Sequence, residues 1–84
     1  MKSSILLAGN SGNIELQGDL TISNVSQLKN VLMQGLENSD TLVISFGDIS
    51  EVDISCLQLL CSAHRMSARL GKKLMFTGAP PGLF

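Results

Sequence analysis

The side chains able to do chemistry gather in one stretch of the chain. Asp48, Ser50, Glu51, Asp53 and Ser55 are followed by Cys56, Cys61 and His64, all within seventeen positions. Glu51 and Asp53 suggest a carboxylate pair for acid–base work. Two acids in a connecting segment, with no nucleophile at a fixed spacing, read instead as solvated capping residues. His64 has no second His, no nearby acid in its own helix and no triad-like partner, so it is expected as a partly buried core histidine. Cys56 and Cys61 lie five positions apart in one helix. A rotation of about 100° per residue sends them to different faces and would strain a bridge. Two thiols and one His also fall short of a metal site, so both cysteines are expected as buried helix packing. Gly9-Asn10-Ser11-Gly12 lacks the Lys-Ser/Thr that completes a phosphate loop and opens a strand, so it reads as a hairpin turn. The sequence thus offers no catalytic set, no metal ligands and no cofactor motif. What remains is Asp53 as a helix N-cap with Ser55 at the second helical position, beside backbone N–H groups and the positive end of the helix dipole.

The elements that must hold these residues follow from periodicity. Ser3 to Ala8 reads as a strand, and Asn13 to Gln17 as its hairpin partner closed by Gly18, with Ile14 and Leu16 on one face. A helix then starts at Asn24, whose side-chain oxygen is expected to cap it, with Gln27 placed for the reciprocal contact. Val25, Leu28, Leu32 and Leu36 form its apolar stripe, Gln27, Lys29, Asn30 and Gln34 face outward, and Asn38-Ser39-Asp40 ends it. Thr41 to Phe46 shows little period-two polarity and reads as a central strand covered on both faces. Gly47-Asp48 is expected to break it, leaving Ile49 to Asp53 as a loop. The second helix spans about Ile54 to Leu70, with Leu57, Leu60, Cys61, His64 and Ala68 as its buried stripe and Gln58, Ser62, Arg65 and Arg69 outward. Gly71 stops it, and Lys73 to Thr77 forms the last strand. Met66 and Met75 are expected to pack. Gly78-Ala79-Pro80-Pro81-Gly82 continues neither element.

The order β-β-α-β-α-β specifies an α/β class: one domain over residues 1–84, a four-stranded mixed sheet with helices packed against it and right-handed crossovers between parallel strands. A chain of 84 residues supports one core, built here from Leu, Ile, Val and Met because Trp and Tyr are absent and Phe occurs three times. The net charge of −1 and the scatter of Lys2, Lys29, Arg65, Arg69, Lys72 and Lys73 argue against nucleic acid. The apolar run Ile5-Leu6-Leu7-Ala8 is too short for a signal-peptide core or a membrane span, so the domain is expected in the cytoplasm without direct membrane insertion.

The segment Asp48-Ile49-Ser50-Glu51-Val52-Asp53-Ile54-Ser55-Cys56-Leu57-Gln58-Leu59-Leu60 resembles the switch segment of the STAS family, the anti-sigma-factor antagonists and their relatives. Leu16-Gln17-Gly18-Asp19-Leu20 is similar to the family's Gly-(Glu/Asp)-Leu step, and Gly71-Lys72-Lys73-Leu74 to the entry of its last strand. These segments span roughly residues 13 to 78 in the family's order. Cys56 stands where the family usually has Gly, and Ile54 where it has a small polar residue. The C-terminal helix of many relatives is expected to be short or absent.

The resemblance implies a non-enzymatic regulatory module without cofactors. In the antagonists, the Ser two positions after the Asp is phosphorylated by a serine-kinase ATPase that doubles as the anti-sigma factor. Ser55 and Asp53 match these positions. The implied partner-binding face comprises Asp48, Ser50, Glu51, Asp53, Ser55, Gln58 and Ser62. A phosphate on Ser55 would add about −1.5 to −2 charge at a helix start beside Asp53 and Glu51, repelling an acidic or apolar partner surface while the fold survives. The family also implies two alternatives: an accessory subunit of a membrane transport ATPase, including phospholipid-transport systems, or a component of a chemotaxis or stress-signalling assembly.

Overall fold

A two-residue turn at Gly9-Asn10 joins the first two strands, and Gly9 supplies the positive φ (60°) that such a turn takes at its first central position. In the computed structural model, which describes residues 1–78, the elements are β1 (Lys2–Ala8), β2 (Ser11–Leu20), a 3₁₀ turn (Ile22–Asn24), α1 (Val25–Asn38), β3 (Thr41–Val52), α2 (Ile54–Arg69) and β4 (Lys73–Thr77). The sheet order is β1-β2-β3-β4, antiparallel for the first pair and parallel for the other two. The α/β class, the element order and the mixed four-stranded sheet are those expected from the sequence.

Each parallel pair is joined by a helix, and both crossovers step the same way along the sheet. Right-handed crossovers taken in one direction place both helices on one face. The core therefore lies in a single layer. Ile14, Leu16 and Leu20 of β2, Leu42, Ile44 and Phe46 of β3 and Leu74 of β4 meet Leu28, Val31, Leu32 and Leu36 of α1 and Cys56, Leu60 and Ala63 of α2. This corrects the expectation that β3 is covered on both faces. Leu42, Ile44 and Phe46 are buried, whereas Thr41, Val43 and Ser45 are only half-buried. On the second face Val43 sits between Asn13 and Met75, and Met75 is 49% exposed.

Both inner strands run further than expected. Leu16 pairs with Phe46, but Gly18 pairs with Ile49 and Asp19 with Glu51, so Gly47-Asp48 together oppose Gln17 and Ser50 opposes no residue, which puts one extra residue into β3 at each of two bulges. Gly18 has φ 87°, and a Cβ on Gly47 would lie 2.8 Å from Gln17 Cγ. These glycines mark bulges inside a continuing ladder, not strand ends. The expected 49–53 loop is strand as far as Val52.

The helix starts differ as well. Asn24 is the N-cap of α1, yet its side chain does not cap it. Its Nδ2 donates instead to Asp19 O at 3.0 Å and Thr21 Oγ1 at 3.5 Å, because the intervening 3₁₀ turn redirects it. Gln27 Nε2 reaches Met1 O and Ser3 Oγ on β1 instead of a capping partner. The end of α1 is closed by Ser39 Oγ, which donates to Gly35 O at 2.6 Å, and by the Lys72 ammonium, which donates to Leu36 O.

The buried stripe of α2 is Cys56, Leu60, Ala63 and Ser67; Leu57 is half-buried, and Cys61, His64 and Ala68 are exposed. The one polar member of this stripe is satisfied by donation from Ser67 Oγ to His64 O at 2.6 Å. Cys61 and His64 are therefore not core residues, and Met66 and Met75 keep 41% and 49% of their surface. Gly71 (φ 71°) closes the helix, with its N–H on Ala68 O and that of Lys72 on Ser67 O, as expected. The expectations for Ala79 to Gly82 and for a missing C-terminal helix lie outside the described residues.

Gly35 sits where α1 crosses β2 and β3, and a Cβ there would lie 2.9 Å from both Ile14 Cδ1 and Leu42 Cδ1. Gly35→Val is expected to cost about 2 kcal/mol through overpacking, despite its gain in helix propensity. A fall in the urea midpoint at unchanged slope is the confirming measurement.

Candidate interaction site at the start of the second helix

The parallel strands end where α2 begins, and one carboxylate organises that junction. Asp53 has extended backbone geometry (φ −111°, ψ 169°), and its N–H donates to Leu20 O at 2.9 Å, continuing the β2–β3 ladder. Its Oδ1 accepts from the N–H groups of Ser55 (3.1 Å) and Cys56 (3.4 Å), which makes it the N-cap expected from the sequence. Its Oδ2 accepts from Ile22 N at 2.6 Å, across to the 3₁₀ turn. The Cys56 thiol adds a further link by donating to Thr21 O at 3.4 Å. Segment 20–22 and the first turn of α2 are thereby held as one unit.

Ser55 occupies the second position of α2 and is half-buried. Its hydroxyl has no hydrogen-bond partner among the described residues. The surrounding amides are not free in the way the sequence suggested. Asp53 Oδ1 occupies those of Ser55 and Cys56, and Asp53 O accepts from Leu57 N at 3.2 Å. Negative charge added at Ser55 Oγ would therefore meet an existing carboxylate rather than an empty anion nest.

The other expected site residues divide into groups. Gln58 and Ser62 are exposed and share the Ser55 side of α2, three and seven positions on. Ser62 Oγ accepts from the Arg65 guanidinium at 3.3 Å. Ser50 and Glu51 lie on β3 and group around Asp19: Ser50 Oγ donates to Asp19 Oδ1 at 2.5 Å, and Glu51 is the ladder partner of Asp19. Asp48 is exposed in the bulge beside Gly47. Ile22, 65% exposed, was not singled out from sequence; its N–H binds the Asp53 carboxylate, and with Ile54, the next residue after Asp53 and 67% exposed, it adds apolar surface to this junction. The available signal was an isoleucine in an otherwise polar turn, Thr21-Ile22-Ser23-Asn24. Ile54, Leu57, Gln58, Cys61, Ser62 and Arg65 line an open depression rather than an enclosed cleft. Among the described residues no three His, Cys, Asp or Glu side chains group to hold a metal, and no helix is long and apolar enough to cross a membrane. The arrangement suits recognition of another surface.

A family model described as Mlab, STAS domain matches residues 4–84. No curated protein sequence matches the chain. Among solved structures, the anti-sigma factor antagonist SpoIIAA in its unphosphorylated form superposes with a TM-score of 0.80 at 17% identity, over 95% of this chain and 76% of that one. The Bacillus cell fate determinant SpoIIAA in its phosphorylated form gives the same TM-score and identity, over 95% and 75%. An antisigma-factor antagonist STAS domain from Rhodobacter sphaeroides gives 0.74 at 22% identity, over 92% and 85%.

Asp53→Ala removes an acceptor from three N–H groups and is expected to cost about 2 kcal/mol, at the upper end for a lost N-cap, measured by urea unfolding. Native thiol labelling should modify Cys61, which is exposed, and spare Cys56, which is fully buried; both should react after unfolding. Burial, and then the Asp53 carboxylate, push the Cys56 thiol above its ordinary value. A raised value in the folded state means that this contribution to stability is complete below the ordinary thiol value and is lost as pH rises toward the folded one. Wild-type stability should therefore fall above about pH 8.5, more steeply than that of Cys56→Ala.

Proposed function

Because the chain belongs to the STAS domain family, we propose that it acts as a non-enzymatic regulatory module whose protein partner docks on the start of α2. The partner is a serine-kinase ATPase of the anti-sigma type, met in the cytoplasm, and phosphorylation of Ser55 releases it. The observation that carries this reading is the setting of Ser55. It has an unpartnered hydroxyl on a fixed first turn, next to exposed Ile54 and beside a carboxylate that holds the nearest amides and the N–H of exposed Ile22. The hydroxyl can be modified without breaking a hydrogen bond of the fold. The phosphate would then project charge into a docking surface whose attraction rests partly on the two isoleucines. The remaining members of the face are Asp48, Ser50, Glu51, Asp53, Gln58 and Ser62. The likeness to SpoIIAA, solved in phosphorylated and unphosphorylated forms, supports the reading at the level of the fold.

A second reading has one observation in its favour. Ile54 and Cys56 flank Ser55 where the family pattern has small residues, and Cys56 is locked into the core with its thiol on Thr21 O. A site built this way suits a constitutive accessory subunit of a membrane transport ATPase, in which Ser55 is part of a permanent contact.

Affinity capture from the source cells with wild type, Ser55→Ala and Ser55→Asp as baits separates the two. The phosphoswitch reading expects Ser55→Asp alone to lose a kinase-type ATPase, with affinity at least tenfold weaker, about 1.4 kcal/mol. Equal retention of a transporter ATPase by all three baits would transfer the case to the accessory-subunit reading.

A further inference from the structure

Helix α2 carries two apolar stripes, and the core uses one. Cys56, Leu60, Ala63 and Ser67 are buried against the sheet. Ile54, Leu57, Cys61, His64 and Ala68 form the other, spaced alternately three and four apart as in a coiled-coil seam. At about 100° per residue this seam lies roughly 110° around the helix from the buried stripe. It runs on the β4 side, where the rings of His64 and Phe76 stack at 6.2 Å. Leu57 is half-buried and the other four members are exposed.

The charges along the seam indicate what would cover it. Glu51 and Asp53 stand at its start, and Arg65 and Arg69 at its end. A parallel copy would set like charges together. An antiparallel copy centred on Cys61 sets Ile54 over Ala68 of the second copy and the acidic start over its basic end, and it does so twice, as an isologous contact requires. We propose that α2 packs antiparallel against α2 of a second copy of this chain, forming a two-fold dimer with Cys61 at the axis. One helix pair of this length makes a small interface, so the dimer is concentration-dependent. The dimer does not rest on the partner proposed above, but Ile54 belongs to both surfaces, so the two contacts exclude each other.

Sedimentation velocity of the purified chain, carried to its solubility limit, tests this. Wild type should pass from monomer to dimer as concentration rises. Ala68→Glu and Arg69→Glu, both at exposed helix positions and checked for folding by circular dichroism, should each raise the dissociation constant by roughly tenfold or more. Glu51→Arg combined with Arg69→Glu should recover dimerisation. Met66→Glu, on the α1 side of the helix, should leave it unchanged. Oxidation with diamide, whose azo group takes up the two thiol hydrogens, should link the copies through Cys61 and yield no linked Cys61→Ser. Three results would overturn the proposal: a monomer throughout, a dimer that survives Ala68→Glu, or one lost with Met66→Glu. A monomer whose Cys61 becomes more reactive on deletion of residues 79–84 would likewise overturn it, assigning the seam to the chain's own C-terminal segment.

Discussion

The Asp53 carboxylate is the constraint on which the site depends. Two strands end side by side there, and each must pass into a helical segment whose first N–H groups have no partner of their own. Asp53 satisfies both starts with its two oxygens, Oδ1 on α2 and Oδ2 on Ile22 N. The same residue keeps the β2–β3 ladder in register through its N–H on Leu20 O. The N–H groups of Ile22 and Ser55 both bond to this carboxylate and Ile54 lies between Asp53 and Ser55 in the chain, so their relative positions follow from it. An Asp in this place is thus a structural element first, and the surface it presents to a partner is a consequence.

The arrangement also explains how a modification could alter binding without altering the fold. The core layer is formed by residues facing the sheet from one side, and Cys56 and Leu60 are the α2 side chains that anchor the start of that helix in it. Ser55 lies between the buried side and the solvent side, with its backbone held and its hydroxyl uncommitted. Charge added there is opposed by Asp53 but does not enter the core. Electrostatic repulsion acts over the docking distance, whereas the packing that stabilises the fold lies on the sheet-facing side of the helix, to which Ser55 does not belong.

Much of the fold is legible because the α1 stripe and the alternation of Ile14 and Leu16 admit one buried face each, and the runs 42–46 and 74–76 read as strands. That β3 buries one face does not follow from 42–46, because Val43 makes the run apolar on both sides. The failures have physical causes. Gly18 and Gly47 read as strand ends because a glycine at a bulge and one at a terminus look alike locally; only the partner strand distinguishes them. Of the stripe expected on α2, Leu57, Leu60, Cys61, His64 and Ala68, only Leu60 is fully buried, because the true stripe Cys56-Leu60-Ala63-Ser67 runs beside it with similar periodicity. In the site, Asp53 as N-cap and Ser55 at the second turn position followed from capping chemistry alone. The role of Ile22 did not, since it depends on a 3₁₀ turn thirty-one residues away from Asp53 in sequence.

The central claim is that Ser55 can gain charge on a frame that Asp53 keeps intact. Backbone amide NMR of wild type against Ser55→Asp measures this directly. The account predicts shifts confined to residues 19–24 and 52–58, with the amides of the rest of the core strands unmoved and the thermal midpoint nearly unchanged. Shifts spread through β3 and β4, or loss of dispersed resonances, would contradict it by showing that charge at Ser55 disturbs the fold itself.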